Sequence, residues 1–268
     1  GPYYRASRMS EYTASSTKRA LAQRTTVHSG TSVPSLKIRT EPLDAGLLED
    51  LRDHLLAGET HYTTRPGVLE LRQQLARRIT ITGGPEYDAE RETIITAGEG
   101  EALFATLLGL DLSEGSRVSA DDDGGRHSKL FAILGIQVVQ PADVKMGPPP
   151  LEYSELVTEK AAAGTTDDDE VLRKPMVGDT SYQADEKTKC IVNVGSLAFG
   201  NSTFGWPAVG PHTVVIGNFD GLAGISSFRL GYVVGPENLV KKIMTWKQAF
   251  SICTAAPSQR AAIWTLDQ

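Results

Sequence analysis

Leucines at 47, 48, 51, 55 and 56 in "PLDAGLLEDLRDHLLAG" recur three or four positions apart. That spacing predicts an amphipathic helix over 42–58, ended by Gly58 as its C-cap. "GVLELRQQLARRI" repeats the pattern with Val68, Leu71, Leu75 and Ile79. "ETIIT" (92–96) is a short β-branched run and predicts a strand. It leads through "AGEG" into "EALFATLLGL", which is apolar almost all round and predicts a buried helix. "SRVSA" and "IQVVQ" predict strands on either side of a helix over "SKLFAILG". Further on, "CIVNV" (190–194) and "TVVIG" (213–217) have the same strand texture. "ENLVKKIMTWKQAF" predicts a helix with Leu239, Ile243, Trp246 and Phe250 on one face. Strands alternating with helices predict an α/β fold in three layers, a mostly parallel sheet with helices on both faces.

Two stretches break the pattern. Residues 9–40 are polar and irregular and read as an N-terminal arm; residues 1–8, before Met9, read as an expression-tag remnant. Residues 141–189 hold "GPPP" and "AAAGTTDDDE" with few apolar positions. They read as a polar insertion within a domain over 41–268, with a short helix near "LEYSELV". Within it, 146–189 is expected to be the most mobile internal part.

Composition narrows the function classes. A net charge of −6 opposes a nucleic-acid or acidic-membrane partner, either of which needs a basic face. No run of about 18 apolar residues is present, so no membrane-spanning helix is expected. Two cysteines, Cys190 and Cys253, suit a reducing compartment, and the expected location is cytoplasmic. The triplets Asp121–Asp123 and Asp167–Asp169 are consecutive rather than spaced through a turn, so they predict solvated loops and no metal site.

"GNFDGLAGISSFRLGYVVGP" joins two strands through a glycine-rich turn that holds one arginine, Arg229. "AGEGEALF" places Gly98, Glu99 and Gly100 where free backbone amides open a helix, an arrangement that attracts anions. Together with "HYTTRPGVLELRQQLARRI", these segments fall in the order of the class I/II aminotransferases, the fold type I pyridoxal-phosphate enzymes, and the chain resembles that family over residues 40–140 and 190–268.

The resemblance implies a pyridoxal phosphate site, built at a subunit interface of a homodimer. Gly98, Glu99 and Gly100 match the phosphate-binding backbone, Arg229 the phosphate arginine, and Tyr62 a tyrosine lent across the interface. "NFDG" falls on the family's Ser-Phe-Ser-Lys, so Asn218 matches a phosphate-binding serine and Gly221 stands where the Schiff-base lysine should be. "NVGSLAFG" resembles the Asn-Pro-x-Asn-Pro-Thr-Gly segment, leaving Asn193 and Ser196. The family's stacking aromatic falls near Gly124 or Gly125, with His127 as a substitute or as an exposed loop histidine. No strand carrying the family's pyridine-binding aspartate is visible. The chain stops after "SQRAAIWTLDQ", where the family continues into a small domain, so only the large domain is expected.

The expectation is therefore a truncated, degenerate relative that does not transaminate, its pyridoxal phosphate noncovalent or lost. A small-molecule or phosphate ligand stays open. So does different chemistry in the old pocket, with Asp220 or His127 as acid or base. So does transamination through a lysine from elsewhere, such as Lys129.

Overall fold

The computed structural model describes residues 43–120, 127–139, 151–155, 190–196, 206, 209–222 and 224–268; the side chains of 120, 151–155, 190, 195 and 196 are outside that description. The N-terminal arm, both aspartate triplets, Gly124 and Gly125 lie outside the described residues, as does the insertion apart from 151–155.

Seven strands form one sheet: β1 (Thr93–Thr96), β2 (Arg117–Ala120), β3 (Gln137–Val139), β4 (Leu151–Glu155), β5 (Cys190–Ser196), β6 (Thr213–Asn218) and β7 (Gly231–Val234). Their order is β1-β7-β6-β5-β4-β2-β3. Only β7 runs against the others, pairing antiparallel with β1 and β6. The described helices are α1 (Ala45–Leu56), α2 (Leu69–Ile81), α3 (Glu99–Gly109), α4 (Ser128–Ile133), α5 (Glu237–Ser251) and α6 (Ala256–Leu266).

Alternation along the strands makes the three layers. Ile95, Val192, Val194, Val215, Tyr232 and Val234 share one apolar cluster with Leu47 and Leu51 of α1, Leu71, Leu75 and Ile79 of α2, and Ala261–Ile263 of α6. Ile94, Ile191, Val214, Ile216 and Val233 share the other with Ala102, Leu103 and Leu107 of α3, Phe131 of α4, and Leu239 and Ile243 of α5. Strand residues two apart fall in the same cluster because the pleat has period two. A Cβ on Gly109 would meet Ile243 at 2.6 Å, so glycine lets α3 and α5 approach backbone to side chain.

Three expectations change. The "LEYSE" stretch is not helical: it is β4, a parallel strand inside the sheet between β2 and β5. Leu151 and Tyr153 alternate with polar residues, a strand pattern too short to outweigh its polar surroundings. On α1, only Leu47 and Leu51 are buried, while Leu48, Leu55 and Leu56 are exposed. On α5, Trp246 and Phe250 are half exposed; the buried positions are Leu239, Val240, Ile243 and Lys247. Positions 239, 243 and 247 keep the i, i+4 spacing, and a lysine continues the stripe because its aliphatic stem packs like an apolar side chain. The Lys247 ammonium reaches Ser251 Oγ at 3.3 Å, and burial lowers its pKa.

Two polar ties anchor the loops before and after α2. Gln259, fully buried on α6, accepts from the Val68 amide at 2.7 Å and donates to Thr254 O at 2.8 Å and to Thr63 Oγ1 at 3.1 Å. Arg72, 5% exposed, donates to the carbonyls of Gly67, Ala89 and Glu90. Arg260 of α6 grips Asp50 of α1 with two bonds of 2.8 and 2.9 Å.

Candidate functional site

The polar residues of the sheet collect at the carboxyl ends of β1, β5 and β6. After β1 the chain turns at Gly98, whose φ of 86° is a left-handed value that glycine adopts without strain. Thr96 Oγ1 donates to Gly98 O at 2.9 Å. A Cβ on Gly231 would lie 2.5 Å from the Gly98 carbonyl carbon, so the start of β7 is pressed against this turn. Helix α3 opens directly from it, with no side-chain cap from Gly98, and the Glu101 carboxylate accepts from the Ala97 amide.

Glu99, the first residue of α3, is 7% exposed, and its carboxylate is held from three directions. It accepts from Asn193 Nδ2 at 2.7 Å, Asn218 Nδ2 at 2.5 Å and His127 Nε2 at 2.6 Å. The pleat explains the convergence. Asn193 lies two residues after Ile191, and Asn218 two after Ile216; both isoleucines belong to the cluster under α3. The two amides therefore end the apolar rows of β5 and β6 where α3 begins. A carboxylate at a helix N-terminus also gains from the dipole, and bonds to an ionised acceptor are stronger than neutral ones.

The sequence-predicted residues divide. Glu99, Asn193, Asn218 and His127 come together. His127 is neither an exposed loop histidine nor free to act alone, since its ring nitrogen is committed to Glu99 and its side chain is 12% exposed. Arg229 is exposed, left-handed at φ 54°, and its Nη2 lies 3.5 Å from where a Cβ on Gly98 would be. It therefore stands beside the α3 turn. A Cβ on Gly100 would meet nothing within 4 Å, so that side of the turn is open. Ser196 pairs with Asn218 in the β5–β6 register, after an irregularity that follows Asn193. Asp220 and Gly221 are exposed, and the Asp220 amide donates to Asn218 Oδ1 at 3.0 Å, shaping the turn. Tyr62 lies elsewhere, in a cleft with His54, Glu59, His61 and Arg260, and is 82% exposed. Lys129 is exposed on α4.

One role was missed from the sequence. Glu99 had been counted for its backbone, and the signal for its side chain is the co-occurrence of an acid at the helix start with asparagines at two strand ends. Behind the site, Tyr232 is fully buried and packs edge-on to Phe219 with ring centroids 5.6 Å apart. Among the described residues its hydroxyl has no hydrogen-bond partner, and its pKa is raised well above the ordinary value, first by burial and then by the Glu99 charge.

Proteins of known structure share this fold. N-succinyldiaminopimelate aminotransferase from Mycobacterium tuberculosis superposes with a TM-score of 0.67 at 22% identity, over 89% of this chain and 65% of that one. A methionine aminotransferase from Escherichia coli gives 0.66 at 20% identity, over 85% and 63%. The fold is that of the class I/II aminotransferases. In sequence, the Escherichia coli methionine aminotransferase is 22% identical over 80% of this chain. A probable N-succinyldiaminopimelate aminotransferase from Mycobacterium tuberculosis is 25% identical over 82%. The chain spans about 60% of the length of these curated relatives. No family model matches the chain.

Aminotransferases of this fold work with pyridoxal phosphate, so the residues present must be tested against that group. Its phosphate would be held by the amides of Gly98–Gly100, and the Glu99 carboxylate is part of that same turn. Two unit charges about 5 Å apart repel by roughly 3 kcal/mol at an effective dielectric near 20, and a dianion by about twice that. The donors best placed to offset this, Asn193, Asn218 and His127, are already bonded to Glu99. Gly221 offers no amine. The described residues do not fit a phosphate-anchored, covalently held cofactor.

Proposed function

We propose that this chain is an aminotransferase-fold protein that does not transaminate, a pseudoenzyme that acts by binding rather than by turnover. The observation that carries the reading is Gly221. It stands in the turn after β6, where the resemblance puts the Schiff-base lysine, and it has no side chain. Asn193 adds support. β4 supplies the sheet with a strand that the sequence pattern had not revealed, and β5 is the strand just before β6 and its paired neighbour. With β4 in the sheet, the order along the chain supports reading β5 as the aspartate-bearing strand, which moves Asn193 from the Asn-Pro-x-Asn-Pro-Thr-Gly match to the position of the acid. An amide cannot hold a pyridinium proton as a carboxylate does.

The test is the visible absorbance of the protein mixed with pyridoxal phosphate, followed by borohydride reduction and peptide mapping. The expected result is no specific adduct in the wild type. A reducible adduct mapped to one lysine, Lys129 included, overturns the reading.

One observation favours different chemistry in the same pocket. A buried carboxylate bonded to an imidazole, as in Glu99–His127, is the arrangement that orients a general base. Asp220, the other candidate acid, is exposed on the turn and less suited to that role. Saturable turnover of any small-molecule substrate that His127→Gln abolishes would establish this alternative.

We further propose a homodimer, on the grounds that the resemblance makes Tyr62 a residue lent across an interface and that Tyr62 and Leu56, six residues earlier, are 82% and 70% exposed. Light scattering at micromolar concentration tests it, and a monomer there counts against it. The proposed location is cytoplasmic and the proposed partners include neither nucleic acid nor membrane. In support, Cys253 is a free thiol and, among the described residues, no helix is long and apolar enough to cross a membrane.

A further inference from the structure

We infer that Glu99 is a built-in substitute for a bound anion: its carboxylate closes the phosphate position of the fold and fastens the carboxyl edge of the sheet without any ligand. The inference rests on the non-transaminating reading above, and it names a residue and a property which that reading does not contain.

Four elements meet at this one side chain. Glu99 belongs to α3, Asn193 to β5, Asn218 to β6, and His127 immediately precedes α4. Among the described residues these elements are joined at the edge by side chain–side chain bonds to a single acceptor, with distances between 2.5 and 2.7 Å. A site built for an external anion leaves its donors pointing at a gap. Here both buried amides and the imidazole already have their anion, and it is covalently part of the helix whose N-terminus faces it. The same charge that satisfies the donors repels a second anion at the adjoining amides of Gly98–Gly100. Arg229, the expected phosphate arginine, is left outside this arrangement. It stands beside Gly98 and is exposed.

The arrangement makes two demands at once: indifference of the wild type to phosphate, and a site that opens when the carboxylate is removed. The experiment is thermal unfolding of the full chain in inorganic phosphate against chloride at matched ionic strength, repeated with pyridoxamine phosphate. Neither probe can form a Schiff base with a lysine, so the result is independent of the test of transamination. The wild-type Tm should be the same in both media. Glu99→Ser should lower Tm in chloride, and about 10 mM phosphate should recover part of the loss, because a ligand that binds only the folded state stabilises it. Adding Arg229→Ala should remove that recovery. If Glu99→Ser does not fold, Glu99→Gln, which keeps the volume and loses the charge, is read in the same way. Phosphate stabilisation of the wild type equal to that of the variant overturns the inference. So does a folded Glu99 variant that phosphate leaves unchanged. A specific aldimine in the wild type would sink the non-transaminating reading instead, with no change in these Tm values required.

Discussion

Two buried polar clusters in this molecule are built differently. Around Gln259 and Arg72, side chains bond mainly to backbone: the Val68 amide and the carbonyls of Thr254, Gly67, Ala89 and Glu90. Around Glu99, the bonds to the carboxylate come from side chains, and backbone enters through the Asp220 amide, which donates to Asn218 Oδ1. A side chain that satisfies buried backbone groups does work that the chain path demands, since those groups exist whatever the sequence. Side chains gathered onto one carboxylate are not demanded by the path in the same way. The first cluster is therefore expected to govern folding, and the second to govern what the edge of the sheet accepts.

The largest effect is expected at Arg72. Arg72→Leu removes a charged donor from three carbonyls, of which Gly67 O keeps Thr64 Oγ1 and Ala89 O keeps Thr93 Oγ1, and hydrogen bonds to charged groups are worth about 1.5–3 kcal/mol each. Chemical denaturation should show a loss of at least ~3 kcal/mol, or failure to fold. A loss below ~1 kcal/mol would erase the proposed distinction between the clusters. Gln259→Leu comes next, at about 2–3 kcal/mol, because the Val68 amide loses its acceptor and the Thr254 carbonyl the shorter of its two side-chain donors, Thr63 Oγ1 being the other.

Asn193→Asp sharpens the comparison from the other side. It sets a second carboxylate against Glu99, 2.7 Å from the present donor. Two carboxylates so close cannot both ionise, so one is held protonated with a raised folded-state pKa. The folded state then binds more protons than the unfolded one, and stability falls as pH rises from the ordinary carboxylate range toward that raised value. The variant should be more stable at pH 5 than at pH 8 relative to wild type. Urea melts at the two values that differ as the wild type does would show that Glu99 is not a fixed anion.

The smallest effect lies outside both clusters. Arg260→Ala should cost about 1 kcal/mol, the upper end for a partly exposed ion pair. The hydrogen bond from Arg260 holds the Asp50 carboxyl below its ordinary value of 3.8, partly offset by burial. A depressed folded-state pKa means that the contribution is present above the unfolded value and lost as pH falls through the folded one. The wild type and Arg260→Ala should therefore converge in stability below about pH 3.8. Curves that stay parallel there would place the contribution in packing, not charge.

Much of the fold was legible in the sequence because periodicity reports burial. The helices led by Leu47, Leu71 and Leu239, and the strands "TIIT" and "TVVIGN", each carry enough apolar positions to declare their period. The segments resembling aminotransferases were legible too, since Gly98 takes a left-handed φ and Gly231 a close backbone approach that a side chain would block. Strand β4 was not legible. Five residues with a weak alternation gain their state from neighbours on both sides, and β2 and β5 are distant along the chain. Nor was the stripe of α5, whose buried fourth position is a lysine.

For the site, the sequence by itself determined the inventory: an acid beginning a helix, asparagines ending two strands, an arginine in a glycine-rich turn and a glycine where a lysine was expected. Only the tertiary structure decided that Glu99 turns inward to those asparagines and His127, while Tyr62 and Asp220 face solvent. The reason is physical. Which strands stand side by side, and which face of each meets α3, is set by sheet order and pleat, and those are properties of contacts between residues 28, 94 and 119 positions apart.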